Sequence, residues 1–311
     1  MIKLFTLSPI MQRQTYQNLK RNAAQFQSTI GLSLDCFDGL FLYFEDQWDK
    51  YNIRCTIAGK ERIRPRRVYK NKVFEDTQSM LVFILYYLKN NCLQEVQAAI
   101  FGMNQPQANL WIHLLKKMLL KTLKASKCLP CGDFESLQKL LQQDQNVFLD
   151  GSERPTFPDR RIMKYKKSTI AVKKTHTVKN IFLTPMINKV LYLFPTYEGK
   201  AHDKKICDEE QIKFEVPVIL WEDTGFVGLN PDNAEVKRPM KQPRKRELLA
   251  EEKAFNRQIS SKRVKVEHTI GQCKVFRIVK DEVRAFKDDF RDTCILLACG
   301  LNNFKIVFIK T

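Results

Sequence analysis

The stretch "NVFLDGSERP", residues 146–155, joins an apolar run to an acidic residue and turn-forming residues. It predicts a buried strand that ends at Asp150 and continues into a loop. Three segments rich in β-branched and aromatic residues follow, "THTVKNIFLTPMI" (175–187), "KVLYLFPTYEG" (189–199) and "VPVILWEDTGFVG" (216–228). A helical pattern then extends from Leu248 to about Lys280. Strands in succession, followed by a strand and a long helix, predict a mixed α/β domain.

The chain before residue 128 has helical rather than strand-like spacing. We expect a helical segment over residues 1–60 and a domain boundary near residue 128, where Pro130 and Gly132 interrupt the pattern. A helix that ends at Gly102 and a second helix that begins near Gln105 have the spacing of a helix-turn-helix. Residues 61–127 are therefore predicted to bind DNA; two helices that merely pack together are the alternative.

The charge of the chain points to a polyanionic partner. Lys and Arg number 53 against 34 Asp and Glu, which gives a formal net charge of 53 − 34 = +19. Six basic residues lie in "RIRPRRVYKNK" (62–72), which predicts either a basic arm or a solvated linker. Six more lie in residues 237–246, a grip on nucleic acid or a mobile loop. The longest apolar run, Met80 to Leu88, is too short to cross a bilayer, so we expect a cytoplasmic protein with no membrane partner.

Three carboxylates on separate elements form a candidate metal site. Asp150 and Asp223 each end an apolar run, where a rigid sheet orients the side chain, and Glu267 lies in the long helix. Mg²⁺ and Mn²⁺ prefer such oxygen donors. The alternative for each Asp alone is a loop cap. Glu222 is expected on the opposite side from Asp223, because neighbouring strand residues alternate between faces.

The long helix presents one polar face. Ser260, Arg263, Glu267, Gly271 and Lys274 follow each other at intervals of 3, 4, 4 and 3 residues, so they lie on one side of a helix. Apolar residues line the adjacent side. Arg263 and Lys274 are thus predicted to hold neighbouring DNA phosphates. An exposed salt-bridged face is the alternative.

Six strings in one order carry a family resemblance: "DGSERP", "KKTHTVKN", "YEGKAHDKK", "DTGFVG", "EEKAFNRQISSKRVKVEHTIG" and "KVFRIVKD". They resemble the DDE transposases of bacterial insertion sequences, specifically the insertion-sequence-five group of DDE superfamily endonucleases, from about Asp150 to Lys305. The helical block before them resembles the helix-turn-helix region that precedes the catalytic domain in that family.

The resemblance implies an RNase H-like fold over residues 128–311, two divalent metal ions, Mg²⁺ or Mn²⁺, and cleavage and rejoining of DNA at the ends of a mobile element. It makes Asp150, Asp223 and Glu267 the catalytic and metal-binding residues. We expect double-stranded DNA as the partner and a homo-oligomer in the DNA complex. Further DNA contacts are assigned to basic side chains in the charged segments: Lys173, Lys174, Lys241, Arg244 and Lys245.

The sequence departs from the family pattern at two places. Ser260 stands where the helix motif usually has Tyr, and Thr175 replaces Arg before His176 in a stretch that also lacks the usual Gly. Neither change touches the three carboxylates, but both weaken the expected positioning of DNA. Two alternatives follow: an inactive transposase remnant that only binds DNA, and a metal nuclease that hydrolyses DNA without transferring strands.

Overall fold

A computed structural model describes residues 14–63, 73–142, 144–156, 176–243, 246–282, 284 and 288–309. The chain divides into two compact units, Met1–Ala125 and Ser126–Thr311. Most of the basic arm (64–72) and four predicted DNA contacts lie outside the described residues: Lys173, Lys174, Arg244 and Lys245.

In its described part, the first unit consists of helices. They are α1 (Tyr16–Leu19), α2 (Ala23–Ile30), α3 (Leu34–Arg54), α4 (Thr77–Asn90), α5 (Gln94–Phe101) and α6 (Gln105–Ala125). Phe37, Leu40 and Phe44, which follow each other at the three-to-four-residue spacing of one helix face, are fully buried in α3. Gly102 ends α5 with a φ of 66°, a left-handed conformation that glycine adopts without strain. The predicted helix, turn and second helix are therefore present.

The second unit is built on a mixed sheet. Its strands are β1 (Asn146–Thr156), β2 (His176–Pro185), β3 (Tyr192–Leu193), β4 (Tyr197–Glu198), β5 (Val218–Trp221) and β6 (Ala234–Lys237). The strand order is β3-β2-β1-β5-β6, and β4 also pairs with β2. β1, β2 and β3 are antiparallel neighbours, whereas β5 and β6 continue the sheet parallel to β1. This arrangement confirms the predicted α/β, RNase H-like fold.

Helices cover both faces of this sheet. α7 (Phe134–Leu141) and α8 (Asp203–Glu209) pack on one face, where Leu137, Leu149 and Ile206 belong to a single buried core. α9 (Ala250–Cys273) contacts β1 and β2 and carries buried Ile259, Val266 and Ile270. Its side chains reach Asp150, which alternates with Leu149 along β1, so α9 lies on the other face.

The helix α10 (Asp288–Ile309) packs on α9. The side chain of Asn303 bonds both backbone groups of Val190, accepting from its N–H at 2.8 Å and donating to its carbonyl at 2.9 Å. Asn302 donates to the carbonyl of Asn188 at 3.0 Å. Residues Asp289–Ile309 are long and apolar enough to cross a membrane, but 56% of the most apolar window is buried within the protein. Core helices of soluble proteins have the same property, so α10 does not indicate a membrane protein.

Candidate active site

Asp150 lies in the middle of β1, not at the end of a strand as the sequence suggested. β1 continues to Thr156 because β2 pairs with it antiparallel over this whole stretch, with Asp150 opposite Phe182. The parallel pairing with β5 does stop early, at Phe148 and Trp221. Asp150 therefore lies two residues beyond the point where β1 and β5 separate, and its side chain is only 16% exposed.

Asp223 follows β5 at the neighbouring position of the sheet. It begins a short 3₁₀ turn, Thr224–Phe226, and its Oδ1 accepts a hydrogen bond from the Thr224 hydroxyl at 2.9 Å. Its side chain is 42% exposed. Asp223 is thus at the end of its strand, as predicted.

Arg263 of α9 joins these two carboxylates. Its Nη2 is 3.5 Å from Asp150 Oδ1 and 3.3 Å from Asp223 Oδ2. The Nε of the same guanidinium is buried and has no hydrogen-bond partner among the described residues. Arg263 was predicted to hold DNA phosphate; in this structure it faces the acidic side chains instead.

Glu267 lies one helical turn after Arg263, on an exposed part of α9. Its charge is close enough to Asp150 to raise the pKa of that carboxyl. The structure therefore brings all three predicted carboxylates to one region of the second unit. We call Asp150, Asp223, Arg263 and Glu267 the carboxylate site.

The two Asp residues of the carboxylate site have different affinities for protons. Burial raises the pKa of Asp150 to about 6, and Asp223 and Glu267 add to this rise, while Arg263 and the Gly151 N–H oppose it. At Asp223 burial also raises the pKa, but the Thr224 hydroxyl, Arg263 and two backbone N–H groups outweigh it and lower the pKa. Of the two carboxyl groups, Asp150 is consequently the one whose ionised form is less favourable in the folded protein.

The donors of this site suit a hard divalent cation. All three acidic side chains offer oxygen, which Mg²⁺ and Mn²⁺ prefer. Among the described residues, no three His, Cys, Asp or Glu side chains lie together closely enough to hold a metal ion. The guanidinium of Arg263 lies between Asp150 and Asp223 and supplies the positive charge there. The residues therefore fit a metal ion in the nature of their oxygen donors.

Glu222 differs sharply from its neighbour Asp223. Its side chain is fully buried and its Oε1 is 3.1 Å from the Nε of Arg238. Burial raises the pKa of Glu222 to about 7, although Arg238 opposes the rise. The expectation that Glu222 would turn away from Asp223 is consistent with these opposite environments.

Two further cations predicted to contact DNA are described. Lys274 follows the last residue of α9 as its C-cap and is half-buried. Burial lowers the pKa of Lys274, Arg154 adds to the effect, and Asp150 opposes it, so Lys274 lies within electrostatic reach of the carboxylate site. Lys241 is exposed in the loop after β6.

A second polar cluster, which was not predicted from the sequence, lies on the face of β1 and β2 opposite to the Asp150 side chain. Lys179 of β2 lies 2.9 Å from Asp203 Oδ1 and 3.3 Å from Glu153 Oε1. We call Glu153, Lys179 and Asp203 the supporting cluster. One signal was available: Lys179 shares a strand face with the buried Ile181 and Leu183, where a charged residue needs a partner.

Comparison with known proteins gives two matches. Residues 149–303 match the family described as DDE superfamily endonuclease. A protein named "Probable transposase for insertion sequence element IS702", from Microchaete diplosiphon, is 24% identical over 206 residues, which are 66% of this chain and 72% of that protein. No solved structure gives a significant match. The carboxylate site lies within the range that matches the family.

Proposed function

The chain belongs to the DDE superfamily endonucleases of the insertion-sequence transposase type, and on this premise we propose that it cuts DNA at the ends of a mobile element and transfers the strands. The observation that carries this proposal is the bridge of Arg263 between Asp150 and Asp223. Two carboxylates that share one cation, with Glu267 beside them, form a site whose negative charge needs compensation.

Asp150, Asp223 and Glu267 would hold two divalent ions, Mg²⁺ or Mn²⁺. When bound, such ions lower the pKa of water and stabilise charge on phosphate oxygens. Asp150 must lose its proton to serve as a ligand, and its raised pKa makes this loss dependent on pH. Arg263 reduces the repulsion between Asp150 and Asp223, since its Nη2 lies within 3.5 Å of both carboxylates.

The DNA partner is supported by charge. The net charge of +19 favours a polyanion. The exposed Lys241 and the half-buried Lys274 both belong to the second unit, which we call the catalytic unit. Because transposition brings two element ends together, we expect a homo-oligomer on the DNA. We expect the protein in the cytoplasm, on the DNA of the nucleoid.

The helices α5 and α6 are proposed as a helix-turn-helix, with α6 as the recognition helix. Trp111 of α6 is turned inward and packs edge-on against Phe74, with ring centroids 5.0 Å apart. The opposite face of α6 is exposed and carries polar and basic residues together with one leucine: Gln107, Leu110, Lys117, Lys121 and Lys124. Such a face suits contact with the major groove and the phosphates beside it.

The test is incubation of DNA carrying the element's own flanks with wild type, Asp150→Asn and Glu267→Gln, in Mg²⁺ or Mn²⁺. We expect metal-dependent nicks at the flank ends and joined products in wild type, and neither in the variants. Nicks without joined products would identify a hydrolytic nuclease. Binding without nicking, equal in all three proteins, would identify an inactive remnant and contradict the proposal.

A further inference from the structure

The supporting cluster links three segments of the catalytic unit through one ammonium group. Lys179 Nζ is 2.9 Å from Asp203 Oδ1, 3.0 Å from the carbonyl oxygen of Ala201 and 3.3 Å from Glu153 Oε1. These partners come from β1, from the first residue of α8 and from Ala201, which precedes α8 by two residues. The Lys179 side chain is only 12% exposed. An ammonium has three N–H groups, so Lys179 faces as many acceptors as it has donors.

The carboxylate of Asp203 lies against two glycines. A Cβ on Gly151 would come within 3.2 Å of Asp203 Oδ1, and a Cβ on Gly225 within 2.8 Å of Asp203 Oδ2. Neither glycine has a positive φ. The close approach of Asp203, rather than the backbone conformation, is therefore what favours glycine at these two positions, strongly at Gly225 and more mildly at Gly151.

These glycines are the neighbours of the two catalytic Asp residues. Gly151 follows Asp150 directly, and its N–H donates to Asp150 Oδ1 at 3.0 Å. Gly225 comes two residues after Asp223, and a hydrogen bond from its N–H lowers the pKa of Asp223. The peptide groups that orient both carboxylates thus rest on Asp203.

Asp203 is not itself part of the carboxylate site. Gly151 and Asp150 are consecutive in β1, so Asp203 contacts the face of the strand opposite to the Asp150 side chain. That face also carries α8, in which Asp203 is the first residue. A role through the two glycines is consequently distinct from metal ligation.

We propose that the Lys179–Asp203 ion pair is a positioning element that fixes the separation of the Asp150 and Asp223 carboxylates. The proposal rests on the proposed function and adds to it two residues that do not contact metal or DNA. A shift of Asp203 by a few tenths of an ångström would move both glycines, and with them the two carboxylates that must bind the same ions.

The test compares Asp203→Asn with Asp208→Asn, a matched change in the same helix, where Asp208 pairs with Lys204. The first readout is the Mn²⁺ concentration that gives half of the metal-induced shift in Tm, which does not depend on activity. We expect Asp203→Asn to raise it about tenfold, as changes behind metal ligands do. Asp208→Asn should leave it unchanged. Affinity for DNA in EDTA should be equal in both.

A second pair of variants tests the close approach of Asp203 to Gly225 and leaves the charges of Lys179 and Asp203 unchanged. Gly225→Ala should raise the half-saturating Mn²⁺ concentration, whereas Gly132→Ala, whose Cβ would meet nothing within 4 Å, should not. In an Asp203→Ala background Gly225→Ala should have no further effect, because the clashing oxygen is gone. Gly151→Ala, with its milder 3.2 Å approach, serves if Asp203→Asn does not fold.

Two failures are distinguishable. If wild type gives a Mn²⁺-dependent Tm shift and nicking that Asp150→Asn abolishes, but Asp203→Asn behaves like Asp208→Asn, the positioning proposal alone is wrong. Additive effects of Gly225→Ala and Asp203→Ala would contradict it equally. If wild type shows neither the shift nor nicking, the proposed function fails and the positioning role fails with it.

Discussion

The carboxylate site and the supporting cluster both arrange acidic side chains around one cation, but they satisfy that cation differently. Lys179 has three oxygen partners within 3.3 Å. Arg263 offers one nitrogen to two carboxylates at 3.3 and 3.5 Å, and its buried Nε has no partner among the described residues. The first arrangement surrounds the cation with three oxygens, although Asp203 Oδ1 contacts it as an ion pair and has no hydrogen-bond partner among the described residues. The second leaves acidic oxygens available, which is what a site that accepts further cations requires.

The pKa shifts follow the same division. Burial alone would lower the pKa of Lys179, yet Asp203 and Glu153 raise it, so the ammonium stays charged. Asp150 has the opposite balance, because burial raises its pKa to about 6 despite the nearby Arg263. The charge of Lys179 is stabilised by its partners, as in a structural ion pair. The charge of Asp150 is destabilised, as in many functional sites.

The largest expected effect is a loss of nicking activity when the carboxylate site, rather than the supporting cluster, is changed. Asp223→Asn should reduce metal-dependent nicking on the order of 10³-fold, because it removes a proposed metal ligand while keeping the size of the side chain. Single-turnover nicking with saturating DNA measures it. Asp232→Asn, in the turn before β6, is the control. Residual nicking within tenfold of wild type would remove Asp223 from the proposed site.

The next effect is a loss of folding stability when the supporting cluster is changed. Lys179→Met should lower the free energy of unfolding by about 3 kcal/mol, because it leaves the Asp203 carboxylate partly buried without its cation. Urea denaturation in EDTA measures this change, with Lys204→Met, in an exposed pair, as control. A loss below about 1 kcal/mol would mean that the supporting cluster is no more than a surface ion pair.

The pH dependence of Asp150 gives a smaller effect of opposite sign. Its pKa is raised in the folded protein, so its contribution to stability is full below the unfolded pKa near 4 and is lost as pH rises through about 6. Asp150→Asn should therefore stabilise the metal-free protein at pH 8 by about 2 kcal/mol. The gain should vanish near pH 4. Urea denaturation in EDTA at both pH values measures it; equal effects at both would contradict the raised pKa.

The smallest effect concerns a cation that belongs to neither group. Lys241 is exposed, so Lys241→Ala should weaken DNA binding only a few-fold and reduce the slope of log affinity against log salt by about 1. Binding titrations from low to moderate salt measure it. Lys139→Ala, which removes an exposed lysine of α7, is the control. An unchanged slope would remove Lys241 from the DNA interface.

The sequence predicted the long strands and the helix α9, because their apolar spacing is regular and their length is sufficient. It also brought together Asp150, Asp223 and Glu267, since a family resemblance connects residues that are far apart along the chain. Two shorter elements, α8 and β6, were missed, because four to seven half-exposed residues carry little periodicity. The end of β1 was placed too early, since the residues after Asp150 are polar and only pairing with β2 keeps them extended.

The supporting cluster could not be predicted from the sequence for a different reason. Lys179 and Asp203 lie 24 residues apart, and their pairing depends on where α8 packs against the sheet, which local spacing does not reveal. The role of the two glycines could not be predicted either, because Gly151 and Gly225 stand in stretches whose composition is typical of turns. Their purpose is visible only when Asp203 is in place.

The attachment of α10 has a consequence for folding kinetics. Asn303 bonds to Val190 across 113 residues of chain, so this contact closes a loop that spans most of the catalytic unit. Contacts of such separation form slowly, because the entropy of loop closure is lost before the contact contributes. In the described part of the first unit, hydrogen bonds span shorter separations, such as 63 residues between Tyr16 and Ser79 and 61 between Asn90 and Thr29, so we expect that unit to fold sooner. We expect refolding in two phases, with cleavage activity recovered only in the slower one.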